Sequence, residues 1–263
     1  MAKVLAFSNQ KGGVGKTTTC GHVGRAAVLA GLKVLFVDAD PQGNLTSSLQ
    51  PADFSDETPG LADALSTASD LTLADVIVDT PWEGADMVST VGSLLAGVRK
   101  EISTGPVGRE FRLREALEPV LDRYDLILID CPPSLDDLTF NAYTAAHGIV
   151  VVAEADMYSA NGIAQLLEAV TNLRKYTNPQ LEVAGIVING YRKNTTDAEH
   201  WRREIVTAAD ALQLRILEPT IPLRLVISGS FSSGRGLDQM TDNRAVARDM
   251  GKKYDTLLQQ LVA

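Results

Sequence analysis

The stretch that decides the fold is Lys3-Val4-Leu5-Ala6-Phe7-Ser8-Asn9-Gln10-Lys11-Gly12-Gly13-Val14-Gly15-Lys16-Thr17-Thr18-Thr19. Its first six residues form a nearly unbroken apolar run, as in a strand buried on both faces of a parallel sheet. A glycine-rich loop follows, and then a helix-compatible segment. Strand, glycine loop and helix in this order make an anion cradle. Backbone N–H groups and the helix N-terminus point at a phosphate, and glycines let the backbone approach it closely. Lys16 is placed for β- and γ-phosphates, and the Thr17 hydroxyl, with Thr18 beside it, for Mg²⁺.

Outward from this loop, similar apolar runs recur at 33–38, 125–130, Gly148–Ala153 and 183–188, with a weaker sixth at 215–220. Helix-like segments lie between and after them at about 16–31, 109–122, 135–146, 159–176, 197–212 and 238–261. This alternation predicts a doubly wound, mostly parallel α/β sheet flanked by helices, in one domain over 1–263. Residues 51–106 are less regular. They are expected to add short strands and helices on one edge, with 75–78 and 86–91 extended. At 45% hydrophobic and 22% charged residues the composition is that of a globular protein. No apolar run approaches the roughly 18 residues of a membrane span. The chain enters a strand-like run at once, so no signal peptide is expected. Cys20 and Cys131 fit neither a disulfide framework nor a zinc site and are expected to be buried, inert thiols in a reducing cytoplasm.

The second strand ends in Asp38-Ala39-Asp40-Pro41-Gln42-Gly43-Asn44, and the third long strand in Asp130-Cys131-Pro132-Pro133-Ser134. In a parallel sheet the C-terminal strand ends lie beside the loop that follows the first strand. Asp38, Asp40 and Asp130 are therefore expected to gather around the metal and the γ-phosphate. There they would hold the water shell of the metal and orient an attacking water.

The ordinary phosphate-loop pattern asks for glycine where this chain has Gln10; Lys11 stands next to it, before Gly12-Gly13. Lys11-Gly-Gly-Val-Gly-Lys-Thr-Thr resembles the deviant Walker A motif of the ParA/MinD family of dimeric P-loop ATPases. The resemblance implies that Lys11 reaches across a dimer interface to the partner's nucleotide. The Asp38–Asn44 stretch resembles switch I of partition ATPases, which implies that Asp40 positions the hydrolytic water. Asp130-Cys-Pro-Pro-Ser resembles Walker B and switch II, which implies an indirect Mg²⁺ role for Asp130. The stretch from Gly108 to Arg114 resembles the short chromosomal Soj-type branch. Asn189, ending Gly185-Ile-Val-Ile-Asn, and Pro222, in Thr220-Ile221-Pro222, resemble the adenine-contacting positions; Asn189 also reads as a strand-end turn residue. Relatives often carry a Glu and a Pro after the Ile-Pro pair. Here that stretch runs from Val226 to Gly234 without them, which puts its contacts in question.

Within the family, a membrane-positioning member would end in a basic amphipathic helix. This chain has no basic residue after Lys253, so a core-packed final helix and no membrane partner are expected. The cysteines do not suit an iron–sulfur cluster, and Tyr254 alone makes no tyrosine cluster. The partition branch implies an ATP- and Mg²⁺-dependent homodimer that binds DNA without sequence preference, near the nucleoid. A ParB-like centromere-binding partner would stimulate its hydrolysis. With two residues before Lys3, no operator-reading helix-turn-helix is expected. A net charge of −9 argues against a permanent DNA binder. Eleven acidic residues and no basic ones lie between Lys33 and Arg99. The mildly basic region from 192 onward supplies the candidates for a DNA strip: Arg192, Arg224 and Arg235 foremost, then Lys193, Arg202, Arg203, Arg244 and Arg248. Two alternatives share the loop chemistry: an ATPase that positions a protein or membrane cargo, and a P-loop small-molecule synthetase.

Overall fold

The computed structural model describes residues 1–51, 53–192 and 196–263, and of 157–162 the backbone alone. Lys193 lies outside the described residues. The chain runs β1 (Lys3–Ser8), α1 (Lys16–Leu29), β2 (Val34–Asp38), α2 (Asn44–Leu49), α3 (Leu61–Leu65), β3 (Ile77–Asp79), β4 (Ala85–Val88), α4 (Gly92–Thr104), α5 (Arg112–Leu117), β5 (Leu126–Asp130), α6 (Asp137–Ala145), β6 (Gly148–Ala153), α7 (Met157–Tyr176), β7 (Glu182–Ile188), α8 (Thr196–Ala211), β8 (Ile216–Leu217), α9 (Leu225–Ser232) and α10 (Arg244–Val262). The strands form one eight-stranded sheet in the order β3-β4-β2-β5-β1-β6-β7-β8. Every neighbouring pair is parallel except β3 with β4.

Strands β2, β5 and β6 are buried throughout, and β1 and β7 beyond their first residues, because both faces of the sheet are covered. Side chains alternate between the faces. Val4 and Ala6 of β1 pack with α3–α8, whereas Leu5 and Phe7 pack with α1, α2, α9 and α10. Helix α1 comes close to the sheet because it carries Gly24, where a Cβ would stand 2.1 Å from the Phe36 ring. Helix α6 starts on Asp136, whose side chain accepts from the Leu138 and Thr139 N–H groups. The final helix buries Tyr254, Leu257, Leu258 and Leu261, as expected of a core-packed end. Among the described residues no helix is long and apolar enough to cross a membrane.

Three sequence expectations change. The helix expected over 109–122 is a short α5 between two 3₁₀ turns, Arg109–Phe111 and Glu118–Val120. Pro119 cannot continue an α-helical ladder. The helix expected over 238–261 starts at Arg244, after Asn243 adopts a left-handed φ of 53°. The irregular 51–106 segment holds the 13-residue α4. Gly92 and Gly97 lower its propensity, but burial of Leu95, Val98 and Ile102 along one face overrides that. The strands of this edge fall at 77–79 and 85–88, displaced from the expected 75–78 and 86–91.

His22 of α1 is enclosed between the Phe231 and Tyr254 rings, with centroids 5.6 and 4.9 Å away, and its Nε2 lies 3.0 Å from the Ile227 carbonyl oxygen. Burial holds its pKa down at about 4, against a partial offset from the Ile227 hydrogen bond. The unfolded chain therefore binds this proton more readily. The stability linked to His22 is intact above pH 6.5 and lost as the pH falls toward 4. By pH 5 the loss is about 2 kcal/mol. Urea unfolding at pH 7 and pH 5 should show a drop smaller by that amount in His22→Gln than in the wild type.

Candidate active site

The loop between β1 and α1 is shaped by local contacts. The buried Asn9 amide donates to the Val152 carbonyl at 2.7 Å, and its Oδ1 accepts the Lys11 N–H at 3.0 Å. Gly13 and Gly15 take φ of 79° and 83°, which disfavours residues with a Cβ. Asn189 closes the loop from the far side: its Nδ2 donates to the Val14 carbonyl at 2.7 Å. A Cβ on Gly15 would stand 2.3 Å from that nitrogen. Val14 itself turns its side chain into the core, so it can offer a ligand only backbone.

The three aspartates converge as expected. Asp38 and Asp130 face each other in the β2–β5 register, both fully buried. The Thr17 hydroxyl donates to Asp130 Oδ2 at 2.7 Å and ties the loop to β5. Asp130 Oδ1 has no hydrogen-bond partner among the described residues. Burial, reinforced by the charge of Asp38, pushes the Asp130 carboxyl well above the carboxylate range. Lys16 is 6% exposed, and its Nζ folds back to the Lys11 carbonyl at 3.4 Å. Burial lowers its pKa against the opposing charges of Asp130 and Asp40.

Asp38 is engaged differently from a free metal partner. It accepts from Thr46 N–H at 2.8 Å, Thr46 Oγ1 at 2.7 Å and Asp40 N–H at 3.2 Å. Burial raises its pKa to about 6 against these bonds. Thr90 completes the knot, with its Oγ1 on the Asp38 carbonyl at 2.5 Å and its N–H on Thr46 Oγ1 at 2.9 Å. The knot fixes the start of α2 and thereby Asp40, which is 6% exposed and accepts the Gln42 N–H at 2.9 Å. Thr46 and Thr90 carry no motif of their own and were not legible as site residues.

A cavity of about 560 Å³ opens above this arrangement. Gly12, Gly13, Gly15, Lys16, Thr17, Thr18 and Asp40 line it, together with Gln42, Ser47, Pro133, Phe231 and Ser232. The divergent 226–234 stretch thus folds as α9 and delivers Phe231 and Ser232 to the site. A larger groove of about 850 Å³ lies between α1 and α10, away from the phosphate loop, and its size gives it no claim to this chemistry. Asn189 and Pro222 lie outside the phosphate cavity but on adjoining segments: Tyr191 bridges to Pro222, and Ile221 N–H donates to Ile188 O at 2.8 Å.

Lys11 is not part of the cavity lining. Its ammonium sits 2.5 Å from Glu154 Oε2 and 2.5 Å from Asp156 Oδ2, in the loop after β6. The sequence gives no spacing signal for these partners, which are 143 and 145 residues away. Cys20 and Cys131 are buried and unpaired, as expected.

Among the described residues no cluster of three or more His, Cys, Asp or Glu could hold a metal alone. The donor set suits Mg²⁺ nevertheless. That ion keeps several waters and takes few protein oxygens beside substrate phosphates. The Thr17 hydroxyl and the unpartnered Asp130 Oδ1 are such oxygens.

The basic candidates divide. Arg192 and Arg224 are exposed on adjoining segments, since Leu223 N–H donates to Tyr191 O at 3.0 Å. Arg235 is exposed beyond α9. Arg202 pairs with Glu218 at 3.0 Å, not with the helix neighbours Glu199 or Glu204, and Arg203 bonds the Glu199 carbonyl at 3.4 Å. Arg244 and Arg248 border the α1–α10 groove.

Comparison with known proteins agrees with this geometry. A family model described as an AAA domain matches residues 2–183. The sporulation initiation inhibitor protein Soj of Bacillus subtilis is 40% identical over 72% of this chain and 72% of its own. The chromosome partitioning protein ParA of Caulobacter vibrioides is 38% identical over 89% of this chain and 85% of its own. Cobyrinic acid a,c-diamide synthase from Mycobacterium smegmatis, solved with a bound ATP analog and magnesium, superimposes with a TM-score of 0.77. It is 32% identical and covers 96% of this chain and 93% of its own. With its P-loop, its paired strand-end aspartates and these relatives, the chain belongs to the Soj/ParA family of partition ATPases.

Proposed function

We propose that this chain is a DNA-segregation switch in which ATP pairs two copies and the pair holds DNA without sequence preference. The observation that carries this reading is one cavity lined by Lys16, Thr17 and Asp40, with the buried Asp130 held by the Thr17 hydroxyl and a second lysine, Lys11, outside the lining. Backbone N–H groups from Gly12 to Thr18 and the Lys16 ammonium cradle the phosphates. Thr17 and Asp130 would hold Mg²⁺, which when bound would supply positive charge beside the phosphates, and Asp38 fixes the switch segment beside them. Asp40 orients the attacking water. Asn189 and Pro222 border the purine. Lys11 crosses to the partner's nucleotide, where a cation can contribute roughly 10³–10⁵ in rate. A basic ParB-like partner completes hydrolysis and releases the DNA. Arg192, Arg224 and Arg235, duplicated in the pair, form the DNA strip. The whole of 1–263 acts as one ATPase unit, located on the nucleoid.

A second reading, an ATP-dependent small-molecule synthase, is favoured by the likeness to cobyrinic acid a,c-diamide synthase. Lys11 and the 38–46 knot have no role in that reading. ATP-dependent dimerisation with no small substrate present separates the two.

Three outcomes are expected. Lys16→Ala should abolish binding of a fluorescent ATP analogue; retained affinity would refute the loop assignment. Asp40→Ala should bind ATP and dimerise in sedimentation yet hydrolyse about 10²–10⁴-fold more slowly. For DNA, log affinity of the ATP form should fall linearly with log salt, by about 0.9 per phosphate neutralised. Arg224→Ala, which removes one contact from each copy of the pair, should flatten that slope by about 2, and an unchanged slope would remove Arg224 from the strip.

A further inference from the structure

Lys11 carries an ion-pair cluster outside the cavity lining, and the proposed hydrolytic chemistry gives its two carboxylates no role. Its Nζ contacts two carboxylates at once, Glu154 Oε2 and Asp156 Oδ2, each at 2.5 Å. All three side chains are about one-third exposed. Burial pulls the Lys11 pKa down, but the hydrogen bonds it donates to Asp156 and Glu154 outweigh it, and the net shift is upward. The side chain is therefore a fixed ammonium facing its own subunit. The contact spans three elements. Glu154 directly follows β6, which pairs with β1. Asp156 directly precedes α7. Glu154 also rests against the turn after β7, where a Cβ on Gly190 would lie 3.4 Å from its Oε1.

One ammonium cannot hold these carboxylates and a neighbouring subunit's phosphates together. We propose that Glu154 and Asp156 are positioning residues for Lys11, holding its ammonium within its own subunit and so setting the protein concentration at which ATP pairs two copies. This rests on the reading that ATP pairs two copies through Lys11. Withdrawing Lys11 breaks both of its ion pairs at once, so the nucleotide-free protein resists pairing. Exposure keeps each pair weak enough to exchange, because solvent screens partly exposed ion pairs. ATP phosphates present a more concentrated anion to the same lysine. Each dimer must open two such clusters, one per subunit, so their effect on dimerisation is doubled.

The test is sedimentation velocity of the full chain with Mg²⁺ and a non-hydrolysable ATP analogue, over a range of protein concentrations. Glu154→Gln with Asp156→Asn should lower the dimer Kd roughly tenfold, and either substitution alone should give a smaller shift in the same direction. The charge-preserving exchange Glu154→Asp with Asp156→Glu should stay near the wild-type Kd. With Lys11→Ala added, the neutral pair should produce no shift. A wild type that dimerises while the neutral variants dimerise equally or less well overturns the proposal and leaves the dimer reading intact. A shift that persists with Lys11→Ala also overturns it, because the carboxylates would then act other than through Lys11. If neither wild type nor neutral variants dimerise, the dimer reading fails and this proposal fails with it.

Discussion

The hydrogen bond from Thr17 to Asp130, 2.7 Å long, joins the first turn of α1 to the end of β5. The rest of the site depends on that junction. A parallel sheet delivers all its strand ends to one rim, and the register places Asp130 opposite both Phe7 of β1 and Asp38 of β2. The loop after β1 must then pass over two buried carboxylates. Lys16 is a nearby cation, and among the described residues one oxygen of Asp130 has no hydrogen-bond partner. The site is thus built short of positive charge. A nucleotide bound with a divalent cation relieves the strain on Asp130, whereas a bare phosphate would add to it.

The switch segment shows how buried hydrogen bonding transmits position. Thr46 and Thr90 hold Asp38, and Asp38 holds the Asp40 N–H. Asp40 itself spends one oxygen on the Gln42 N–H. A carboxylate that must orient water gains from a backbone fixed by such a knot, because less reorganisation is left for the moment of reaction. Phe231 and Ser232 reach the same cavity from α9, in the stretch that departs most from the family pattern.

Charge is distributed in keeping with conditional DNA binding. The chain carries a net charge of −9, and its longest acidic stretch occupies the β3–β4 edge and its connections. Arg192 and Arg224 lie at the opposite side of the sheet, beside the ends of β7 and β8. Separation of the two signs across the sheet supports the basic strip proposed for a paired assembly, even though each copy is acidic.

The local chemistry was written in the sequence. Glycines with positive φ, a lysine and threonine at a helix start, and aspartates after Val/Ile/Leu runs are short-range patterns, and backbone sterics with strand burial give them one reading. The long parallel strands were legible for the same reason, since burial on both faces leaves an unbroken apolar run. What depended on distant packing was hidden. Helix α4 forms despite two glycines because its apolar face is buried. Thr46 meets Thr90 across 44 residues. Asn189 braces Val14 across 175 residues, and Lys11 finds Glu154 and Asp156 only because β6 lies beside β1. Sequence alone determined that a glycine-rich loop with two lysines joins a buried strand to a helix. The order of strands in the sheet decided which carboxylates face each lysine, because a side chain as short as Asp or Glu acts only on what the fold places within a few ångströms of it.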